Sequence, residues 1–199
     1  EQVHRPDRRR DDAQDLVGAR VATAAIGDEY RDTSANTDIR ASMYIDIFRV
    51  SRNLQDIEMA REDARNQTSM QYKVWMLAEI YAEARDPQDR EEGRTAYQDG
   101  EGSAFEKASA ALGMYAITGD LADLESCRRY ADGTEKIGFN SILASTAIIS
   151  GAKEDSDRFE RFCASLEPGK RREAKNYFKT LRDSPFPDRY QELLKLRVA

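Results

Sequence analysis

The sequence predicts an all-α fold, in which a helical bundle with a long second helix is followed by short antiparallel helical hairpins. Apolar residues recur with a period of about 3.6 along nearly the whole chain, and no stretch alternates apolar and polar residues as a half-buried strand does. Apolar residues make up 40% of the 199 residues, which is enough for a packed core. No apolar run approaches the roughly 20 residues that cross a bilayer, so no membrane span is expected.

Three longer helices are predicted in the first part of the chain. The first covers about residues 12–31. The second, about residues 36–65, is the longest, because an apolar seam at steps of four and three residues favours one unbroken rod. The third, about residues 68–85, has an apolar face wide enough for contact on two sides, which predicts that it lies at the centre of its domain.

A charged segment with three glycines, residues 87–103, has almost nothing to bury and is predicted to be a linker loop. Short helices with brief turns are expected beyond it, over about residues 103–118, 121–131, 137–150, 154–166, 170–182 and 188–197. The predicted segments are therefore a basic N-terminal arm, a long-helix bundle, the linker loop and a helical hairpin region, over residues 1–10, 11–86, 87–103 and 104–199.

Histidine is almost absent from the chain, since His4 is the only one. Serine or cysteine nucleophiles paired with histidine, histidine-ligated zinc and di-iron sites of the Glu-x-x-His type all need imidazole inside a packed site. The sequence therefore predicts a non-catalytic protein with no cofactor and no metal.

One acidic motif keeps a catalytic alternative open. Asp11, Asp12 and Asp15 have the D-D-x-x-D spacing that holds magnesium and a diphosphate in isoprenoid synthases, which this segment resembles superficially. Such a site needs a deep apolar bundle and a second acidic cluster, whereas acids in a first helical turn also interact favourably with the helix dipole. Other carboxylates at helical spacing, such as Glu154, Asp155 and Asp157, are interpreted as solvated faces.

Charge is distributed unevenly along the chain, whose net charge is −6. An acidic central part lies between basic ends, which disfavours binding of duplex nucleic acid but leaves the ends able to bind an acidic partner. The candidate partner-binding residues are two basic clusters: Arg8, Arg9 and Arg10, and Lys170, Arg171 and Arg172. Lysine and arginine at a helix N-terminus oppose the helix dipole, so the second cluster is locally unfavourable unless something acidic meets it.

The segment with Leu112-Gly113-Met114-Tyr115, then Gly119-Asp120-Leu121 and later Ala131, resembles a tetratricopeptide hairpin. Residues 142–166 repeat the outline, with Ser150-Gly151 at the turn and Cys163 at the late small-residue position. This resemblance, over about residues 104–166, implies a peptide-binding adaptor with a concave face.

The first half has a separate resemblance. A helix, a polar turn and a long second helix that opens Asp38-Ile39-Arg40-Ala41-Ser42-Met43-Tyr44 is similar to PsbQ-type extrinsic photosystem proteins over about residues 12–85. The Trp-Pro that often precedes that helix in the family is absent here. The resemblance implies a processed lumenal subunit held on a photosynthetic membrane complex, with peripheral membrane association.

The sequence leaves the compartment open. Cys127 and Cys163 have no C-x-x-C spacing and fall among apolar positions, which favours buried free thiols over a disulfide. The chain opens on Glu1, as a processed precursor in an organelle or lumen would, although a fragment of a cytoplasmic protein would look the same. The function predicted from these observations is a helical interaction protein, an accessory subunit docked on a larger assembly.

Overall fold

The computed structural model describes residues 8–29, 34–132 and 139–184. These residues are helical apart from short turns and include no strand, so the all-α prediction is confirmed. The helices are α1 (Arg8–Glu29), α2 (Ser34–Ser51), α3 (Leu54–Asn66), α4 (Met70–Ala84), α5 (Pro87–Asp99), α6 (Ala104–Thr118), α7 (Leu121–Ala131), α8 (Phe139–Ser150), α9 (Lys153–Ser165) and α10 (Pro168–Arg182). The helix predicted over residues 188–197 lies outside the described residues.

The prediction of one unbroken second helix is wrong. The chain reverses after Ser51, where Arg52 has a φ of 53°, and Asn53 caps α3 by accepting a hydrogen bond from the backbone N–H of Gln55. Apolar residues continue at helical spacing past the turn because α2 and α3 are the two arms of one hairpin and bury their apolar residues against each other. Val50 and Leu54, the seam residues at the reversal, are 72% and 70% exposed.

The prediction of a linker loop over residues 87–103 is also wrong. Most of the segment forms α5, where Asp86 accepts a hydrogen bond from the N–H of Gln88 and Pro87 occupies the first turn. The helix needs few apolar residues because Gly93 lets its backbone approach α6 closely. A Cβ on Gly93 would lie only 3.4 Å from Met114 Sδ on α6. A helix can therefore form here although the segment is highly charged.

The structure divides into two compact units, residues 1–69 and 70–199. In the first unit, α2 and α3 form a hairpin and α1 packs against α2. In the second unit, three hairpins follow one another and α10 packs against the last of them; the hairpins are α4/α5, α6/α7 and α8/α9. We call α2, α4, α6 and α8 the inner helices and α3, α5, α7 and α9 the outer helices.

Helix α6 is the centre of the second unit, and α4, which corresponds to the third predicted helix, packs against it. Every residue of α6 over positions 108–117 is buried. A Cβ at Gly113 would lie 3.0 Å from Val74 Cγ1, which shows how closely α6 approaches α4. The indole N–H of Trp75 on α4 donates a 2.9 Å hydrogen bond to Ser109 Oγ on α6.

The described residues also test two smaller expectations. Cys127 and Cys163 are buried free thiols, as predicted. Among the described helices, none combines the length and the apolar character that crossing a membrane requires.

Candidate functional site

The four hairpin turns share one backbone conformation. The residue that follows each inner helix has a left-handed φ, and these residues are Arg52, Arg85, Gly119 and Gly151, with φ values of 53°, 58°, 68° and 64°. The next residue is the N-cap of the outer helix, where the side chains of Asn53, Asp86 and Asp120 accept a backbone hydrogen bond. The chain therefore reverses in the same way four times.

A buried aspartate follows each turn at a constant position, three residues after the N-cap. These residues are Asp56, Asp89, Asp123 and Asp155, and none is more than 4% exposed. They lie 33, 34 and 32 residues apart along the chain. Tetratricopeptide repeats have a period of about 34 residues, so the hairpins recur at the spacing of that repeat class.

Three of these aspartates are each held by an arginine from the helix that precedes the hairpin and by a hydroxyl from the end of the inner helix. Around Asp155, Arg128 Nε donates to Oδ1 at 2.9 Å and Arg128 Nη2 donates to Oδ2 at 2.7 Å. Ser150 Oγ donates to Asp155 Oδ2 at 2.6 Å and accepts the N–H of Ala152 at 3.1 Å. We call such a set of arginine, aspartate and hydroxyl an ion-pair node.

The second node has the same arrangement one hairpin earlier. Arg94 Nη1 and Nη2 donate to the two carboxylate oxygens of Asp123 at 2.6 and 2.8 Å, and Thr118 Oγ1 lies 2.9 Å from Asp123 Oδ2. The backbone N–H of Asp120 donates to Thr118 Oγ1 at 3.0 Å. The node therefore joins α5, the end of α6 and the first turn of α7.

The third node lies in the first unit and joins α1 to the α2/α3 hairpin. Arg20 Nε and Nη2 each donate to a carboxylate oxygen of Asp56 at 2.7 Å. Ser51 Oγ donates to Asp56 Oδ2 at 2.5 Å and accepts the N–H of Asn53 at 3.1 Å. At the remaining turn Ala84 replaces the hydroxyl residue, although Asp89 is fully buried.

Two of the nodes lower the pKa of their aspartate. The hydrogen bond from Arg20 lowers the pKa of Asp56 below its ordinary value, against the opposing effect of burial. Burial alone would raise the pKa of Asp155, but hydrogen bonds from Arg128 and Ser150 hold that pKa below its ordinary value. The hydrogen bond to Asp155 raises the pKa of Arg128 further above its usual range. The nodes of Asp56 and Asp155 are thus stable ion pairs and not groups ready to exchange a proton near neutral pH.

The basic cluster at the start of α10 is divided between two roles. Arg171 donates to the backbone carbonyl oxygens of Cys163, Ala164 and Leu166 at 2.9–3.0 Å, which satisfies the C-terminus of α9. The Arg171 guanidinium therefore faces the negative, C-terminal end of α9. The sequence analysis had expected an acidic partner at this place. Lys170 and Arg172 are exposed, and no carboxylate of the described residues pairs with either.

The other candidate residues are placed as follows. Arg8, Arg9 and Arg10 form the first turn of α1 instead of a separate arm, and their side chains lie outside the described residues, as do those of Asp11 and Asp12. Asp15 is exposed. Asp155 belongs to an ion-pair node, and the described residues contain no group of three or more histidine, cysteine or acidic side chains that could hold a metal ion.

The two thiols are suited to packing. Burial raises the pKa of Cys127 to about 11 and also raises the pKa of Cys163 above its ordinary value. A thiolate is the nucleophilic form of cysteine, so neither thiol is activated at neutral pH.

The ion-pair nodes were missed by the sequence analysis, although the sequence carries a signal for them. An Asp-x4-Arg pattern recurs on three outer helices at the repeat spacing, with the pairs Asp56/Arg61, Asp89/Arg94 and Asp123/Arg128. A search for internal repeats would have found this pattern, because the same two residue types return in the same register.

The fold and the nodes define a class of protein, an all-α chain of helical hairpins in which a buried ion pair recurs. Comparison with protein-family models, with curated proteins and with solved structures found no match to this chain. The long second helix on which the PsbQ-type resemblance depended is absent from the structure.

Proposed function

We propose that this chain is a non-catalytic helical-repeat protein that binds protein partners through exposed helix faces, as an accessory subunit of a larger assembly. The observation that carries the proposal is the recurring ion-pair node. It supports a structural role for the buried charged residues, because each node joins one helix to the hairpin that follows it. Stacked helical hairpins are a common scaffold for protein binding.

The exposed surface of the helices is the candidate site for the partner. A peptide-binding groove along α6 is not favoured, because its residues 108–117 have no exposed face. Helix α10 offers a better candidate, since Arg172 and Lys179 are exposed and seven residues apart, which places them on one helix face. No carboxylate among the described residues pairs with either. We therefore propose that the partner presents an acidic surface to α10.

The test uses the purified chain as bait, with quantitative mass spectrometry of the proteins it retains at increasing salt. We expect a defined set of proteins to be retained at low salt and released as salt screens the charges. The variant R172E/K179E should lose these proteins, because it reverses the charge of the proposed surface. Thermal unfolding of the variant should be unchanged, since both positions are exposed.

A matched control reverses two exposed cations elsewhere. Lys153→Glu and Arg161→Glu on α9 make the same change in net charge, and together they should leave the retained proteins unchanged. Retention of the same proteins by R172E/K179E at every salt concentration would contradict the proposal for this surface. Retention of no protein at all would contradict the function itself.

A further inference from the structure

The turn between α2 and α3 differs from the other three turns between inner and outer helices. Each of those turns contains a residue that opposes a straight helix, namely Pro87, Gly119 or Gly151. The α2/α3 turn consists of Arg52 and Asn53, neither of which is glycine or proline. Arg52 nevertheless has a left-handed φ of 53°, a conformation in which a residue with a Cβ is strained. The residue types of this turn therefore allow a continuous helix, and the backbone strain of the hairpin favours one.

The apolar residues on both sides of this turn also suit a continuous helix. Steps of four, three, four and three residues separate five of them, which a straight helix would place on one face: Met43, Ile47, Val50, Leu54 and Ile57. In the hairpin, Ile47 and Ile57 are buried, whereas Val50 and Leu54 are 72% and 70% exposed. The hairpin thus leaves apolar surface uncovered on both sides of the strained turn.

We propose that the α2/α3 turn is a hinge that opens into one continuous helix, so that two copies of this chain form a domain-swapped dimer by exchanging α1 and α2. In this dimer, α2 of each copy packs against α3 of the second copy, and a two-fold axis passes near residue 52. Short hinges under strain favour such an exchange between identical chains. This inference does not depend on the proposed function, because the hinge lies in the first unit and α10 in the second.

The second chain is another copy because an identical chain supplies every contact that the opened hairpin gives up. In the dimer, Arg20 of one copy donates to Asp56 of the second copy, as it does at 2.7 Å within one chain in the hairpin. Arg40 Nε likewise keeps a carboxylate partner in Asp63, to which it donates at 2.8 Å in the hairpin. Helix α1 packs against α2, which moves with it, so the exchange also keeps the contacts between these two helices.

The dimer gains contacts that the hairpin lacks. Val50 and Leu54 each lie two residues from Arg52, and the buried Ile47 and Ile57 each lie five residues from it. A two-fold axis near residue 52 therefore brings Val50 of one copy opposite Leu54 of the second copy, in line with the buried isoleucines. Four exposed apolar side chains become buried, and the strain at both arginines is relieved.

Sedimentation velocity tests whether the dimer forms. The wild-type chain is incubated at concentrations from about 1 μM to about 1 mM near the midpoint of urea unfolding, where hairpins open, and is then diluted out of urea. We expect monomer after incubation at low concentration and dimer after incubation at high concentration, because the exchange needs a second copy. A chain that stays monomeric after incubation at every concentration would overturn the proposal.

The distance between two spin labels on one chain separates domain swapping from ordinary dimerisation. Ser42→Cys on α2 and Glu62→Cys on α3 place labels at exposed positions, ten residues on either side of Arg52, and the native thiols are buried. An excess of unlabelled chain during incubation gives dimers with one labelled copy. In these dimers the labels should be about 30 Å apart, because the residues between them form a straight helix at about 1.5 Å per residue. A dimer in which this distance is as short as in the monomer would overturn the proposal.

Two variants of the hinge should change the dimer in opposite directions. Leu54→Pro gives this turn the proline that Pro87 supplies to the α4/α5 turn, and it should abolish the dimer because proline breaks a continuous helix. The hairpin tolerates this proline, since position 54 begins α3 and Asn53 before it is extended, with φ −86° and ψ 117°. Asn53→Ala should lower the dissociation constant more than about tenfold, because both hairpins lose their helix cap and the continuous helix needs none.

Asp120→Ala is the matched control for the loss of a cap. Asp120 caps α7 as Asn53 caps α3, but it follows Gly119, which opposes a continuous helix. This variant should weaken its own hairpin without promoting the dimer. Dimer formation by Leu54→Pro to the wild-type extent would overturn the proposal. A gain of dimer in Asp120→Ala equal to that in Asn53→Ala would also overturn it, because the exchange would then not depend on the α2/α3 turn.

Discussion

At the scale of single residues, the structure depends on carboxylates that are buried but fully satisfied. A buried charge is costly unless it is paired and hydrogen-bonded, and each node supplies two guanidinium hydrogen bonds and one hydroxyl. Ser150 has a further role because it also accepts the N–H of Ala152 in the turn. The node therefore fixes the hairpin turn and the neighbouring helix with one carboxylate.

Replacing Asp155 with asparagine should destabilise the second unit strongly. The variant keeps the shape of the side chain but removes the buried carboxylate that Arg128 binds with two hydrogen bonds, and leaves Arg128 only its exposed partners such as Glu125. Breaking a buried pair in this way costs about 3 kcal/mol. Urea unfolding followed by circular dichroism should show a lower midpoint with little change in slope.

Glu160 provides the control for this prediction. Its carboxylate pairs with Lys175 at 2.8 Å, but both side chains are exposed. Glu160→Gln should therefore change the free energy of unfolding by less than about 1 kcal/mol. A loss of stability in Asp155→Asn as small as that in Glu160→Gln would show that the node contributes little.

At the scale of the elements, the hairpin turns use one backbone conformation with different residues. Two turns place glycine at the left-handed position, and two place arginine there, at Arg52 and Arg85. Residues with a Cβ are strained in this conformation by about 1–2 kcal/mol. The left-handed turn therefore does not require glycine, and the first two hairpins tolerate the strain.

Exchanging the residue at this position should change stability in opposite directions in two hairpins. Arg85→Gly should stabilise the fold by about 0.5 kcal/mol, because relief of strain exceeds the added freedom of the unfolded chain. Gly151→Ala should destabilise it by about 1 kcal/mol. A Cβ at Gly151 would meet nothing within 4 Å, so backbone strain is the only cost. Both effects can be measured by urea unfolding.

Gly169 is the control glycine for this pair. A Cβ there also meets no atom within 4 Å, but Gly169 lies in α10 without a left-handed φ. Gly169→Ala should be neutral or stabilising, because alanine favours the helix. Destabilisation by Gly169→Ala equal to that by Gly151→Ala would indicate that the turn conformation is not the cause.

At the scale of the whole molecule, the nodes link stability to pH in both units. Asp56 lies in the first unit and Asp155 in the second, and both have a pKa below the ordinary value. A carboxyl group with a lowered pKa in the folded state contributes stability at pH values above its unfolded pKa of about 3.9. That stability is lost as pH falls through the lowered folded values.

Acid should therefore destabilise the chain below about pH 4, while stability should change little between pH 5 and pH 7 through these groups. Urea unfolding at a series of pH values measures this dependence. The variant Asp155→Asn should show a weaker loss of stability in acid than the wild type, because one of the titrating groups is gone. An acid dependence identical in the two proteins would contradict the assignment to Asp155.

The sequence by itself determined the helical class and most helix positions. The apolar period of 3.6 is a local property, and helices such as α6, α7 and α9 lie within a few residues of their predicted limits because cap and turn residues mark their ends. The buried state of Cys127 and Cys163 followed from the same period.

Only the tertiary structure decided where the chain reverses at Arg52, that the charged segment forms α5, and which charged residues are buried. Apolar residues continue at helical spacing across the reversal in the sequence, although Val50 and Leu54 are exposed there, so periodicity does not reveal it. The node partners lie 27 to 36 residues apart, and no local pattern connects two such residues until the hairpins pack. A buried charge is stable only beside its counter-charge, so the role of each aspartate is fixed by a residue on another helix.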